Sequence, residues 1–151
     1  MLVRNALVAD PMTTRPETSF PRLVRGLLRG AKNKAAVLDD QGMLVGVIGI
    51  HDILRNIVPL YVDLDVKLME VLHDGYLEQR LMRLQDKTVG DLMTTEIDSI
   101  APDDSLIKAV SIMVKRRRKA LPAVEDGRFV GLITRRSILE HVARRTNLCP
   151  R

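Results

Sequence analysis

Apolar residues fall into two kinds of pattern along this chain, and both kinds recur in the same order. Phe20, Val24, Leu27 and Leu28 follow an i, i+4, i+7, i+8 spacing, which predicts one buried stripe on a helix. Leu106, Val110, Met113 and Val114 repeat it. Ahead of each stripe stands a cap cluster that opens the helix, Glu17-Thr18-Ser19 or Asp103-Asp104-Ser105. Short strands, Met12–Thr14 and Asp98–Ile100, are expected before Pro16 and Pro102. After each helix come two apolar runs. Ala35–Leu38 and Leu44–Gly49 are joined by Asp39-Asp40-Gln41-Gly42, and Leu121–Val124 and Phe129–Thr134 by Glu125-Asp126-Gly127. Short acidic turns with Gly between apolar runs predict hairpins. A last helix is expected from near His51 or Arg135, with Ile53, Leu54, Ile57 and Val58 facing inward in the first.

The recurrence is a duplication with a measurable offset. Pro16 aligns with Pro102 at 86 residues, and the same offset carries Val3 onto Val89 and Val24 onto Val110. With one residue of the first copy skipped, Gly46 meets Gly131 at 85, and the register continues from Ile53-Leu54 onto Ile138-Leu139. Asp10-Pro11-Met12-Thr13 looks like Asp91-Leu92-Met93-Thr94, but that match breaks the register; the gapless alignment sets Asn5 opposite Asp91 and Met12 opposite Asp98. The repeat predicts a division of 1–58, a helical connector 59–88, 89–145 and a tail 146–151. Each copy reads β-α-β-β-α, its first two strands parallel across a right-handed crossover. One small sheet leaves a face uncovered, so the two copies are expected to pack together. In the connector Leu77, Leu81 and Leu84 recur at helical spacing, which predicts a surface helix over the module edge or a dimer interface.

Composition narrows the function classes. With 46% hydrophobic and 28% charged residues over 151 positions, the chain reads as soluble and globular. Aromatics are 3% and Trp is absent, which argues against single-strand nucleic-acid binding by stacking. Twenty-four Lys and Arg against 19 acids give +5, a mild bias toward anionic ligands. A lone Cys149 allows no internal disulfide and fits a reducing cytoplasm. The longest run of apolar residues and glycine, Met43–Ile50, is far too short to span a bilayer.

Taken in order, Val89-Gly90-Asp91-Leu92-Met93-Thr94, Pro102-Asp103-Asp104-Ser105-Leu106, Ala120-Leu121-Pro122-Ala123-Val124 and Gly131-Leu132-Ile133-Thr134 resemble the CBS-domain family, paired as a Bateman module. The first copy carries the likeness in Arg15-Pro16-Glu17-Thr18-Ser19 and Leu44-Val45-Gly46-Val47-Ile48, ending at Asp52. The resemblance implies an α/β fold of two pseudo-symmetric repeats packed sheet to sheet, a homodimer, and clefts for AMP, ADP, ATP or S-adenosylmethionine. It implies a regulatory module that signals to a partner protein and needs no cofactor. The family's ligand signature is Gly, two apolar residues, Thr, any two, then Asp, with the carboxylate on the ribose hydroxyls and the Thr hydroxyl and helix N-terminus toward phosphate. Here each copy holds half of it. Gly46-Val47-Ile48-Gly49-Ile50-His51-Asp52 keeps the acid, and Gly131-Leu132-Ile133-Thr134-Arg135-Arg136-Ser137 keeps the hydroxyl. The ligand set that the resemblance implies is Thr14, Arg15, Gly46, Gly49, His51 and Asp52 with Ile100, Thr134, Arg135, Arg136 and Ser137, the Asp52 cleft being the stronger of the two.

Plainer readings stand beside these. Asp52 also suits the first turn of a helix, and Thr134 with Ser137 suits a cap. The run Lys115-Arg116-Arg117-Arg118-Lys119 suits the C-terminal end of a helix, with an anion patch for nucleotide phosphate or RNA as the sharper alternative; no nucleic-acid motif accompanies it, so nucleic acid is not an expected partner. Arg135-Arg136, at a helix start, is the basic pair that points more toward phosphate. His51, His73 and His141 lack metal-ligand spacing, and no catalytic constellation is present, so neither a metal site nor an enzyme is expected. A ligand-free scaffold or interaction module with degenerate sites is the alternative function.

Overall fold

The computed structural model describes residues 1–58 and 75–148. The first half of the connector, His73 and Cys149 lie outside the described residues. The elements in chain order are a 3-10 turn at Val3–Ala6, β1 (Thr13–Thr14), α1 (Phe20–Arg29), β2 (Lys34–Leu38), β3 (Leu44–Gly49), α2 (Ile50–Ile57), α3 (Tyr76–Met82), α4 (Val89–Leu92), α5 (Leu106–Arg116), β4 (Ala120–Glu125), β5 (Arg128–Thr134) and α6 (Arg135–Arg144). The chain forms an α/β fold; the first copy has the expected β-α-β-β-α order, and the second has α-β-β-α after a single bridge in place of its first strand.

Both copies obey the 86-residue register in space. Strand β1 pairs in parallel with β2, Thr14 opposite Val37, and the bridge Ile100–Ala123 is the same pair moved by 86. The sheet order is β1-β2-β3 in the first copy and β4-β5 in the second. The strand expected over Asp98–Ile100 is reduced to that bridge: in the first copy Ala36 N–H donates to Met12 O, and its counterpart Pro122 has no N–H to give Asp98 O. Helices α1 and α5 end alike. Lys32 N–H donates to Leu27 O, and Arg118 N–H donates to Met113 O, each following a residue with positive φ, Ala31 or Arg117. The residue skipped in the alignment lies in the hairpin turns. In the first, the Asp39 carboxylate accepts from Gln41 and Met43 N–H across a longer loop. In the second, Asp126 and Gly127 both take positive φ in a tight turn.

Two compact units partition the chain differently from the repeats. One gathers Met1–Pro11, Leu38–Leu44 and Glu96–Arg151; the other gathers Met12–Val37 and Val45–Thr95. Each copy's N-terminal segment therefore sits with the body of the other copy. In the first unit Val3 and Ala6 join a core with Leu106, Met113, Leu121 and Ile133. In the second, Val89 joins Phe20, Leu23, Leu27, Ile48 and Ile53.

The helical stripes lie one step round from their expected positions. Phe20, Leu23 and Leu27 are buried in α1, and Leu106, Ala109 and Met113 in α5. Leu28 is 70% exposed and Val114 73% exposed. Each is about 100° round from the last buried position, past the edge of the face that meets the sheet. Leu54 in α2 (50% exposed) corrects the expectation in the same way, and its counterpart Leu139 in α6 is 69% exposed. Ile53 and Ile57 do face inward. In the connector Leu81, on α3, packs on this core and Leu84, in the turn after α3, is buried in it, while Leu77 points to solvent.

Candidate functional site

Helix α2 starts where three short-range constraints meet. Ile50 N–H donates to Asn33 O at 3.0 Å, which ties the helix to the entrance of β2. Gly49 N–H donates to Asp52 Oδ2 at 2.8 Å, so the carboxylate caps the first turn. A Cβ at Gly49 would lie 2.8 Å from Asn33 O, a backbone atom that cannot swing away. A side chain at this position would therefore require the strand entrance at Asn33 to shift. The other carboxylate oxygen, Oδ1, accepts from Thr94 Oγ1 at 3.3 Å. Thr94 is itself fixed by two backbone bonds with Val47, of 2.9 and 2.8 Å.

Around this pair lies an open groove of about 400 Å³, lined by His51, Asp52, Leu54, Arg55, Asn56, Val58, Leu92 and Thr94. All of these residues belong to one compact unit. Asn56 Nδ2 donates to Asp52 O at 2.7 Å and keeps the helix turn closed below the carboxylate. Of the residues expected at a ligand, the groove brings together His51 and Asp52. Gly46 is buried beneath Met93, whose Sδ would be 2.6 Å from an added Cβ, so its part is packing. Thr14 is held in β1 opposite Val37, and the Arg15 guanidinium lies 3.6 Å from Glu17; neither lines the groove. Thr94, Arg55, Asn56 and Leu92 do line it and were not expected to. Thr94 carried one signal: the 86-residue register sets the hydroxyl-free Val8 opposite it.

The start of α6 repeats the frame in the other unit. Arg135 N–H donates to Lys119 O at 3.3 Å. Thr134 N–H donates to Ser137 Oγ at 2.9 Å, and Ser137 N–H donates to Thr134 Oγ1 at 3.0 Å, a reciprocal cap. Ser137 Oγ–H then donates to Thr134 O. Val8 N–H bonds to Leu132 O where Thr94 bonds to Val47. Ile100 is buried in this unit's core, away from solvent. Arg136 pairs with Glu140 at 2.8 Å, and the Arg135 side chain is exposed.

Three carboxyls are held below the usual value, each by named donors. Asp98 is held down by Arg118 first and then by Arg116. Asp91 is held by the Thr88 N–H, and Asp104 by the Ala101 N–H followed by Lys108. The basic run thus closes α5 as expected, with Lys115 and Arg116 in the last turn and Arg117 just past it. Among the described residues no group of three or more His, Cys, Asp or Glu could hold a metal ion. Nor is any described helix long and apolar enough to cross a membrane.

A family model for the CBS domain matches residues 3–59 and 89–144. The chain is 28% identical over 153 residues to an uncharacterized protein of Methanocaldococcus jannaschii, covering 93% of this chain and 90% of that one. It is 27% identical over 149 residues to the chloroplastic CBS domain-containing protein CBSX2 of Arabidopsis thaliana, covering 87% of this chain and 61% of that one. Among solved structures it resembles the CBS domain of a membrane protein from Sphaerobacter thermophilus, with a TM-score of 0.71, 26% identity, and coverage of 92% and 86%. It also resembles CBSX2 in complex with AMP, with a TM-score of 0.74, 22% identity, and coverage of 96% and 98%.

Proposed function

Because the chain belongs to the CBS-domain family, we propose that it is a non-enzymatic regulatory module whose ligand is an adenosine compound, bound in the groove at the start of α2. The reading rests on Asp52, the only acid among the described residues that line the groove, fixed by Gly49 N–H and the Thr94 hydroxyl. A carboxylate has about four acceptor positions, so two remain for the neighbouring hydroxyls of a ribose. His51 and Arg55 on the same wall offer donors to phosphate. A groove of about 400 Å³ lies within the range of small-ligand sites. CBSX2, which shares the fold, has been crystallised with AMP, and that supports the adenylate choice.

Titration calorimetry with AMP, ADP, ATP and S-adenosylmethionine tests the proposal. The expected result is one binding event per chain with at least one of them. In Asp52→Ala it weakens about 100-fold, the loss of roughly two charge-assisted hydrogen bonds. No heat with any of the four, or unchanged binding by Asp52→Ala, removes it.

A ligand-free scaffold is the second reading, favoured by Thr134 and Ser137, which spend their polar atoms on each other. On that reading no nucleotide raises the melting temperature, whereas a ligand bound only to the folded chain does so by mass action. The assembly we propose is a homodimer that covers Leu28, Leu54, Val114 and Leu139, apolar positions exposed in register in both copies. The module would report to a further protein in a reducing cytoplasm, where a lone Cys149 needs no partner.

A further inference from the structure

The two basic segments of the second copy meet at one corner of their unit. Lys119 immediately precedes β4 and Arg135 immediately follows β5, and the strand ends Ala120 and Thr134 are paired. The Arg135 N–H donates to Lys119 O at 3.3 Å. The run Lys115–Lys119 and the pair Arg135-Arg136, distant in sequence, thus share one edge of the sheet. Seven cations gather there with two carboxylates: Asp98, on Arg116 and Arg118, and Glu140, on Arg136. Seven against two leaves +5, which equals the formal charge of the whole chain. Every other charge in the sequence cancels.

Lys115, Arg117, Lys119 and Arg135 are exposed, and among the described residues no carboxylate pairs with them. A second copy of this chain would bring the same positive corner, so the corner repels its own kind. A protein partner needs apolar anchors at the centre of its interface; these seven positions supply none, and the exposed Val114 and Leu139 beside them are taken by the proposed homodimer. Their content is five guanidiniums and two ammoniums, the groups that grip phosphate oxygens. No aromatic residue is interleaved for base stacking.

We propose that this corner binds the phosphate backbone of duplex nucleic acid without reading sequence. About four free cations set the expected strength. Binding is micromolar at low salt, and log K falls against log salt with a slope near −3.6.

Fluorescence anisotropy on the full chain tests this with a labelled 20-base-pair RNA duplex and its DNA counterpart. Polyglutamate and phosphatidylserine vesicles serve as competitors. The triple variant Arg117→Ala/Lys119→Ala/Arg135→Ala is expected to leave a slope near −1 and to weaken binding at least 10-fold. Arg22→Ala/Arg25→Ala/Arg29→Ala on α1 removes the same charge elsewhere and is expected to bind as the parent does. Circular dichroism checks that both variants are folded. Salt-dependent duplex binding lost only in the corner variant supports the proposal. No duplex binding at low salt, equal weakening by both variants, or equal displacement by polyglutamate or vesicles at matched charge overturns it.

Discussion

The start of α2 and the start of α6 are the same backbone carrying different chemistry. In both, the first helical N–H is tied to the carbonyl before the second strand, Asn33 O or Lys119 O. In both, the N-cap N–H reaches the side chain three residues on, Asp52 or Ser137. A glycine on the third strand lies under a side chain from the exchanged segment, Met93 over Gly46 and Leu7 over Gly131. What differs is three positions: Gly49, Asp52 and Thr94 in one unit against Thr134, Ser137 and Val8 in the other. Duplication fixed the frame, and the functional difference resides in those side chains. A carboxylate braced by a hydroxyl can cap a helix and still accept two bonds from a ligand, whereas a serine locked into a reciprocal cap has given up its proton and keeps one uncharged lone pair.

The largest expected effect is to make the weaker site competent. Ser137→Asp with Val8→Thr installs in the second copy the acid and hydroxyl that the first copy has, and leaves Thr134 in place. If those positions carry the chemistry, calorimetry with the ligand of the parent chain changes from one event per chain to two. A stoichiometry that stays at one, in a folded double variant, means that the shared frame is insufficient and that the comparison rests on the wrong residues.

Much of this was legible in the sequence. The offsets of 86 and 85 survive because duplicated copies keep their caps, turns and core positions, as with Ser19 and Ser105 or Gly42 and Gly127. The parallel first pair, the hairpins and both helix starts followed from that. The exchange of the N-terminal segments was not legible, because Val3–Val8 and Val89–Thr94 are too short to carry a period that says what they pack on. Thr94 stayed hidden for the same reason: its bond to Asp52 crosses 42 positions of chain. The exposure of Leu28, Leu54, Val114 and Leu139 was missed because an apolar pattern marks surfaces that avoid water. It does not say whether the covering comes from this chain or from another.

A smaller effect separates the two covered glycines. A Cβ at Gly46 would stand 2.6 Å from Met93 Sδ and 3.2 Å from the Thr94 carbonyl, while at Gly131 the nearest atom is a Leu7 methyl at 3.0 Å. Overpacking costs about 1–3 kcal/mol. Gly46→Ala is therefore expected to cost about 2 kcal/mol in urea unfolding, and Gly131→Ala about 1 kcal/mol or less. Equal costs mean that the two exchanged segments are seated alike and that the tighter contact at Met93 relaxes freely. Gly46→Ala also shifts the segment that holds Thr94, so it weakens the ligand measured above; Gly131→Ala leaves that ligand alone.

The smallest effect distinguishes the C-terminal ends of the paired helices by acid. Asp98 draws Arg116 and Arg118 together at the end of α5, and the register sets Met12, which cannot ionise, in its place near α1. Because Arg118 and then Arg116 hold the Asp98 carboxyl below 3.8, the unfolded chain takes up that proton first as pH falls. The stabilisation is complete above about pH 4 and is lost as pH drops through the folded value. Both arginines are about half exposed or more, so solvent screens the pair and its worth is under about 1 kcal/mol. Asp91 and Asp104 are lowered in the same direction, so the parent's acid curve alone cannot isolate one carboxyl. The difference between parent and Asp98→Asn does. It is expected to be several tenths of a kcal/mol at pH 6 and to close toward zero at an acid pH below the folded value. A gap of the same size at both pH values would show that asparagine disturbs packing at the end of α5 and that the charge of Asp98 is not what holds it.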